Sequence, residues 1–116
     1  MKKLSIGLLL CALASAQILG GGSTTATVTT SGTAVRLSTS NIQTPSFAVQ
    51  LTTGTATVCV GGSNVSAASG IGTCVTGTGQ NIYFAPSGTR VYDLSAYWVD
   101  ASANSTIVEV TYNAAQ

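Results

Sequence analysis

Short runs in which apolar and polar residues alternate recur along the chain at roughly ten-residue spacing. The most regular are Phe47–Leu51 and Thr106–Tyr112. A period of two places successive side chains on opposite faces of a β-strand. Thr, Val, Ile and Tyr dominate these runs, and Gly, Ser and Asn separate them, as is typical of strands joined by turns. The predicted strands are 25–30, 34–38, 47–51, 56–60, 71–75, 81–84, 96–99 and 106–112.

Seven or eight such strands predict an all-β chain that forms a single antiparallel β-sandwich, with a small barrel as the alternative. Loops are expected at 41–45 and 61–64, and a tight turn at 53–54. The core is predicted from apolar residues that share the inward face of their strands. They are Val58, Val60, Ile82, Phe84, Trp98, Val108 and Val110.

The first sixteen residues follow the plan of a secretory signal peptide. A positive start (residues 1–3) precedes an apolar run (4–12) that is too short to span a bilayer. Small residues at 14–16 suit signal-peptidase cleavage after Ala16. The alternatives are a retained anchor helix, or lipidation at Cys11, although Leu10 stands where a lipobox needs a small residue. We expect a bacterial-type exported protein, secreted, extracellular or periplasmic, without membrane attachment after cleavage.

The predicted mature chain has a flexible leader, 17–23, and one β-sandwich domain, 24–116. Cleavage removes both lysines and leaves two arginines against three carboxylates, a net charge of −1. A surface this neutral has little charge repulsion to keep copies apart, which favours self-association. It also offers no basic patch for phosphates, so nucleic-acid binding is excluded.

The absence of histidine excludes His-based triads and His-ligated zinc. Asp93 is interpreted as a turn or capping residue, Asp100 as entering a turn, and Glu109 as facing outward from a strand. No base is available to activate a serine or threonine. The sequence therefore predicts neither enzyme activity nor a cofactor, and no metal site.

Two cysteines remain after cleavage, Cys59 and Cys74. Each lies on its predicted strand opposite the main apolar residues. The expected structure is a hairpin with a long loop, stapled by a disulfide. Closing a loop of about 15 residues stabilises the fold by roughly 3 kcal/mol. Two free buried thiols, or a metal or redox site without a CxxC motif, are the alternatives.

Three segments carry a resemblance to a known family: 60–71 (VGGSNVSAASGI), 92–101 (YDLSAYWVDA) and a closing strand that ends in 110–112 (VTY). Together they resemble a small β-sandwich module of tailed-phage virion proteins, including tail and fibre-associated ones. The direct match covers about 55 residues from Val58 onward. The resemblance implies a sandwich fold and a role in assembly or surface contact.

Exposed contacts are expected at Ser63, Asn64 and Ser66 in the 61–70 loop, and at Tyr97, on the face opposite Trp98. These residues suit a non-enzymatic structural or adhesive protein, a surface, matrix or particle subunit that acts through β-edges and loops. The alternative is a secreted carbohydrate-binding module. The partner is either a second copy, as a homo-oligomer or filament, or a cell-surface glycan.

Two further patterns bear on function. The T-x-T runs at 25–29 and 53–57 would align hydroxyls as on an ice-binding surface, or simply reflect the β propensity of threonine. The leader with the Thr-rich first strand could add to the sheet of another subunit, or remain unstructured on a monomer.

Overall fold

The computed structural model describes residues 21–52 and 54–113. Ten strands form in this part of the chain, and a 3-10 turn, Leu94–Ala96, separates the eighth from the ninth. The strands are β1 (Gly22–Val28), β2 (Val35–Arg36), β3 (Gln43–Thr44), β4 (Phe47–Leu51), β5 (Thr57–Gly61), β6 (Thr73–Thr76), β7 (Asn81–Phe84), β8 (Tyr92–Asp93), β9 (Trp98–Ala101) and β10 (Thr106–Tyr112).

Two four-stranded antiparallel sheets make up the sandwich. Sheet A has the order β1-β10-β4-β7, and sheet B has the order β2-β9-β5-β6. A short ladder between β3 and β8 lies beside them. The first described strand therefore pairs with the last, while β10 sits between β1 and β4. This arrangement confirms the predicted all-β, antiparallel sandwich.

The core forms where the apolar faces of the two sheets meet. In β4, Phe47, Val49 and Leu51 are buried, whereas the intervening residues are half-buried on the other face. Val108 and Val110 of β10 join them from the same sheet, and sheet B supplies the opposite wall of one continuous cluster. Its members from sheet B and the chain around it are Leu37, Val58, Val60, Tyr92, Leu94, Val99 and Ala101.

Most of the predicted core is confirmed. Val58, Val60, Ile82, Val108 and Val110 are buried. Phe84 is partly buried and packs against the cluster, but Trp98 does not belong to it. The bounds predicted for β4 and β10 agree with the structure, because both strands alternate over their whole length.

A buried threonine anchors the segment predicted as a loop at 41–45. Gln43 and Thr44 form β3, and the Thr44 hydroxyl lies 2.7 Å from the Ser46 carbonyl oxygen and 2.9 Å from that of Asn113. The same hydroxyl accepts from the Asn113 N–H at 3.2 Å. The segment is thus fixed to the end of β10 by polar contacts, which hydrophobic periodicity does not reveal.

The leader prediction is wrong at its C-terminal end. Gly22 and Ser23 belong to β1, where they pair with Tyr112 and Thr111. The signal peptide and residues 17–20 of the leader lie outside the described residues. The sandwich therefore begins at Gly22, two residues earlier than expected.

Candidate functional site

The first feature of the surface is the free edge of β1. Asn113 N–H donates to the Ser46 carbonyl at 3.1 Å, and Thr52 N–H donates to the Ile107 carbonyl at 3.2 Å. These two bonds show that the odd-numbered residues of β10 direct their backbone N–H and C=O groups toward β4. Because these directions alternate along an antiparallel strand, the even-numbered residues of β10 form hydrogen bonds with β1.

The same alternation decides which groups of β1 remain at the edge. The even-numbered residues of β10 face Gly22, Thr24, Ala26 and Val28 in the register of the two strands. Three residues of β1 consequently direct their N–H and C=O groups away from β10. They are Ser23, Thr25 and Thr27. Within the described residues, sheet A has no strand on that side of β1.

A groove borders this edge. It has a volume of about 330 Å³ and is lined by residues 24–27 of β1 on one side and by 35–40 with Ile42 on the other. The lining combines serine and threonine residues with apolar residues such as Leu37, and Arg36 supplies a charge. The groove leaves space beside the unpaired backbone groups of β1.

The other edge strands are protected in ways that β1 is not. The second sheet ends in β2, which has two residues and carries Arg36, and in β6, which has four residues. The far edge of sheet A, β7, has four residues and is followed closely by Pro86. Short strands, charges and proline discourage edge pairing. In contrast, β1 has seven residues and neither charge nor proline.

The outer face of sheet A is the second feature, and it is open to solvent. The strand registers align side chains in rows that cross all four strands. One row is Thr25, Glu109, Gln50 and Asn81, and the next is Ser23, Thr111, Ala48 and Tyr83. The threonines of β1 do not continue as a regular array into β4 and β7, so this face does not match an ice-binding surface.

The outer face of sheet B, by contrast, is covered by the chain itself. The segment between β5 and β6 folds back on itself, since Ser66 and Ile71 exchange backbone hydrogen bonds of 3.1 and 2.9 Å. Val65, which belongs to this segment, is buried. Glycine is needed at position 72, where φ is +112° and a Cβ would lie 2.8 Å from the Val60 carbonyl oxygen.

Asp100 connects this covering segment to a second loop. It lies in β9 and is only 1% exposed, although it faces away from the core. One carboxylate oxygen accepts the Gly32 N–H at 2.9 Å, and the other accepts the Ala67 N–H at 2.8 Å. The expectation that Asp100 enters a turn is therefore wrong, because this carboxylate holds two loops against the strand.

The predicted disulfide between Cys59 and Cys74 is confirmed. The two residues are direct partners in the β5–β6 ladder. Cys59 is fully buried on the covered face next to Asp100, its partner in β9, whereas Cys74 is exposed. The bond thus fixes edge strand β6 to the sheet.

The predicted contact residues of the loop differ in their exposure. Ser63 and Asn64 are exposed, and Ser66 is half-buried, with its hydroxyl accepting the Ser69 N–H at 3.2 Å. These residues belong to the folded segment between β5 and β6. Their role as contacts stays a prediction.

Tyr97 and Trp98 lie on the faces of the strand opposite to those expected for them. Tyr97 packs against the core in a cluster with Phe47, Phe84 and Tyr92, at centroid distances of 5.3, 5.5 and 6.0 Å. Trp98 lies on the other face, where the Arg36 guanidinium carbon is 5.3 Å from the centre of its ring. Residue 97 shares a face with buried Val99, so the prediction that Tyr97 is the exposed aromatic residue is wrong.

The exposed aromatic residue is instead Tyr83 of β7, at 61%. Tyr83 alternates with Ile82 and Phe84, and this alternation indicates a side chain that faces outward. The predicted exposed contact was instead Tyr97, with Trp98 assigned to the core. Tyr83 stands beside half-buried Ala48 on sheet A, with Asn81 two residues away on the same face.

The carboxylates occupy separate environments. Asp93 caps the 3-10 turn, since one of its oxygens accepts both the N–H and the hydroxyl of Ser95 at 2.9 and 2.7 Å. This confirms its capping role. Glu109 is half-buried and takes part in the polar row of sheet A, as its outward alternation predicts.

Two kinds of feature are absent from residues 21–52 and 54–113. No group of three or more His, Cys, Asp and Glu side chains is placed to hold a metal ion within these ranges. No helix in the same part of the chain has the length and apolarity needed to cross a membrane.

Comparison with known proteins found no match to a family model, to a curated protein or to a solved structure. The resemblance to tailed-phage virion modules therefore stays a prediction. The features of the described residues that indicate a function are the free edge of β1 and the outer face of sheet A.

Proposed function

We propose that this chain is an exported, non-enzymatic structural protein, a surface, matrix or particle subunit that pairs with a second copy through the free edge of β1. The observation that carries the proposal is the unpaired side of this strand. It has seven residues, borders a groove, and lacks the charges and proline that keep edge strands apart.

Export is supported by the disulfide and by the predicted signal peptide. Disulfides persist outside the cytosol, in secreted and periplasmic proteins. The Cys59–Cys74 bond fits such a compartment. A structural subunit outside the cell also gains from a covalent link that resists opening of β6.

The geometry of β1 suits a second copy of itself. Ser23, Thr25 and Thr27 carry the free N–H and C=O groups, so two antiparallel copies of β1 can meet with Thr25 opposite Thr25. In this register Ser23 faces Thr27 of the other copy, and each pair exchanges two hydrogen bonds. The pairing is isologous and closes as a two-fold dimer, in which sheet A continues through both copies.

Charge does not oppose this pairing. The strand carries no ionisable side chain, and the predicted mature chain has a net charge of −1. Two copies therefore approach without the repulsion that separates more highly charged proteins. Arg36, across the groove, is the nearest charge among the lining residues.

The test compares two substitutions of Thr25 in the mature protein, 17–116, by light scattering during size-exclusion chromatography over a range of loading concentrations. Thr25→Pro removes an edge N–H that sheet A does not use, and proline is tolerated at such positions. Thr25→Val keeps the N–H and changes only an exposed side chain. We expect wild type and Thr25→Val to form dimers, and Thr25→Pro to elute as a monomer.

Amide hydrogen exchange then locates the interface. In the dimer we expect slower exchange at Ser23, Thr25 and Thr27 than in the Thr25→Pro monomer. A monomeric wild type at every concentration would overturn the proposal. So would a dimer that survives Thr25→Pro but is lost when residues 17–20 are deleted, because the leader would then form the contact.

A further inference from the structure

The outer face of sheet A has chemistry that β1 pairing does not use. Its polar row crosses the four strands as Thr25, Glu109, Gln50 and Asn81. Neighbouring strands lie about 4.7–4.9 Å apart, so the row presents hydrogen-bonding groups at a regular spacing close to the length of one pyranose unit. This straight, open row suits an extended chain more than a small compact ligand.

An aromatic platform stands at one end of this row. Tyr83 is 61% exposed and follows Asn81 by two residues on the same face of β7. Its cross-strand neighbour is Ala48, whose short side chain leaves space beside the ring. Tyrosine offers a large, rigid surface that is apolar on its faces and polar at its tip. The apolar C–H face of a sugar ring is complementary to such a surface.

The hydrogen-bonding groups of the row match hydroxyl groups. The amides of Gln50 and Asn81 both donate and accept, the Thr25 hydroxyl does the same, and Glu109 accepts. A sugar hydroxyl likewise donates and accepts. Gln50 and Glu109 are half-buried between neighbouring strands, so their positions are better fixed than those of fully exposed side chains.

The charge of the face selects among possible ligands. Among the described outward side chains of sheet A, Glu109 is the single ionisable group besides the phenol of Tyr83, and none is a cation. A polyanion would meet a carboxylate with nothing to neutralise it. An interface with another protein usually has a larger apolar centre than this face offers, because Tyr83 is bordered by Ala48 and polar residues.

We propose that the outer face of sheet A binds a neutral polysaccharide, with Tyr83 as the stacking platform and Asn81, Gln50 and Glu109 as the hydrogen-bonding row. This site is independent of self-association, because β7 lies at the edge of sheet A opposite β1. Pairing through β1 would place two such faces on one continuous sheet and extend the surface available to a long chain.

The experiment is affinity electrophoresis of the mature protein in native gels that contain hydroxyethylcellulose, a β-1,3-glucan, galactomannan or soluble starch, with alginate as the anionic comparison. We expect retardation by at least one neutral polymer and none by alginate. Tyr83→Ala weakens binding about tenfold, equivalent to ~1.4 kcal/mol, whereas Tyr83→Phe keeps the ring and stays within about twofold of wild type.

Val91→Ala is the matched control, since Val91 is an exposed apolar residue at 53% that lies outside both sheets. Asn81→Ala provides a second variant within the row and should also weaken binding. Thr27→Pro removes another edge N–H of β1 and lies outside the polar row, so retention of binding by this variant separates the site from the dimer edge. Binding by no neutral polymer, equal binding by Tyr83→Ala and wild type, or a preference for alginate would each overturn the proposal.

Discussion

Replacing Asp100 with asparagine tests how the covered face of sheet B is held. Asparagine has nearly the same shape but only one acceptor oxygen, and its amide group would face one of the two N–H donors, those of Gly32 and Ala67. One hydrogen bond to the carboxylate is lost, the other becomes neutral, and a donor is left without its partner in a site that is 1% exposed.

The magnitude follows from the number of bonds affected. A hydrogen bond to a charged group contributes about 1.5–3 kcal/mol, and a neutral one about 0.5–1.5 kcal/mol. Losing the first kind and weakening the second lowers the free energy of unfolding by about 2–4 kcal/mol. For a domain of this size, each kcal/mol shifts Tm by about 4–8 °C, so we expect a decrease of roughly 8–30 °C.

The assay is thermal and urea unfolding, followed by far-UV circular dichroism and by the fluorescence of the single tryptophan, Trp98. Trp98 and Asp100 lie on the same face of β9, so the fluorescence reports on the affected region. Asp93→Asn is the matched control. One oxygen of Asp93 accepts both bonds from Ser95, and asparagine keeps that acceptor. Equal stability of Asp100→Asn and Asp93→Asn would refute the reasoning.

Three further substitutions test other parts of the fold. Thr44→Val removes a hydroxyl that bonds the ends of β3 and β10 in a buried site, and should lower the free energy of unfolding in urea by about 1–3 kcal/mol; an unchanged midpoint would contradict this. Gly72→Ala places a Cβ 2.8 Å from the Val60 carbonyl oxygen of β5 at a positive φ. It should therefore lower the free energy of unfolding by about 1–3 kcal/mol. Gly70→Ala, also at a positive φ but with open space around its Cβ, should lose less in the same thermal unfolding series, and the reverse order would count against a steric cause. Replacing Cys59 and Cys74 together with alanine should reduce stability by about 3 kcal/mol in non-reducing urea titrations; a variant as stable as wild type would show that the disulfide adds nothing.

Alternation along the sequence was sufficient to predict the strands that bury one face along their whole length. β4 and β10 are of this kind, and both bounds agree with the structure. The strands β3 and β8 have two residues each, too few to show a period, and polar contacts from Thr44 fix the first of them. The fold class was therefore predictable, whereas the short ladder beside the sheets was not.

The environments of Tyr97 and Trp98 depended on the phase of a single strand. Adjacent residues of a strand lie on opposite faces, so Trp98 could not share the core with Val99. The 3-10 turn before β9 ends at Tyr97 in extended conformation, which places residues 97 and 99 on the core side. Two neighbouring aromatic residues give no local signal of which one is buried.

The candidate site depended on pairings between distant parts of the chain. The free edge of β1 exists because β1 pairs with β10 on one side and with no other described strand of sheet A. The rows of the outer face likewise require the registers of β1, β10, β4 and β7 together. Periodicity within each strand predicts which side chains face outward, but not which strands become neighbours.

The pairing of β1 with β10 also determines when sheet A can be completed. A chain that is synthesised or exported from its N-terminus releases β1 first, and β1 must wait for β10 before its ladder can form. Because β10 also pairs with β4, a chain that stops before Thr106 leaves β1 without its partner in sheet A and β4 paired with β7 alone. Long sequence separation slows folding, so this topology postpones the cooperative step until nearly the whole domain has emerged and makes truncated chains unable to close the sandwich.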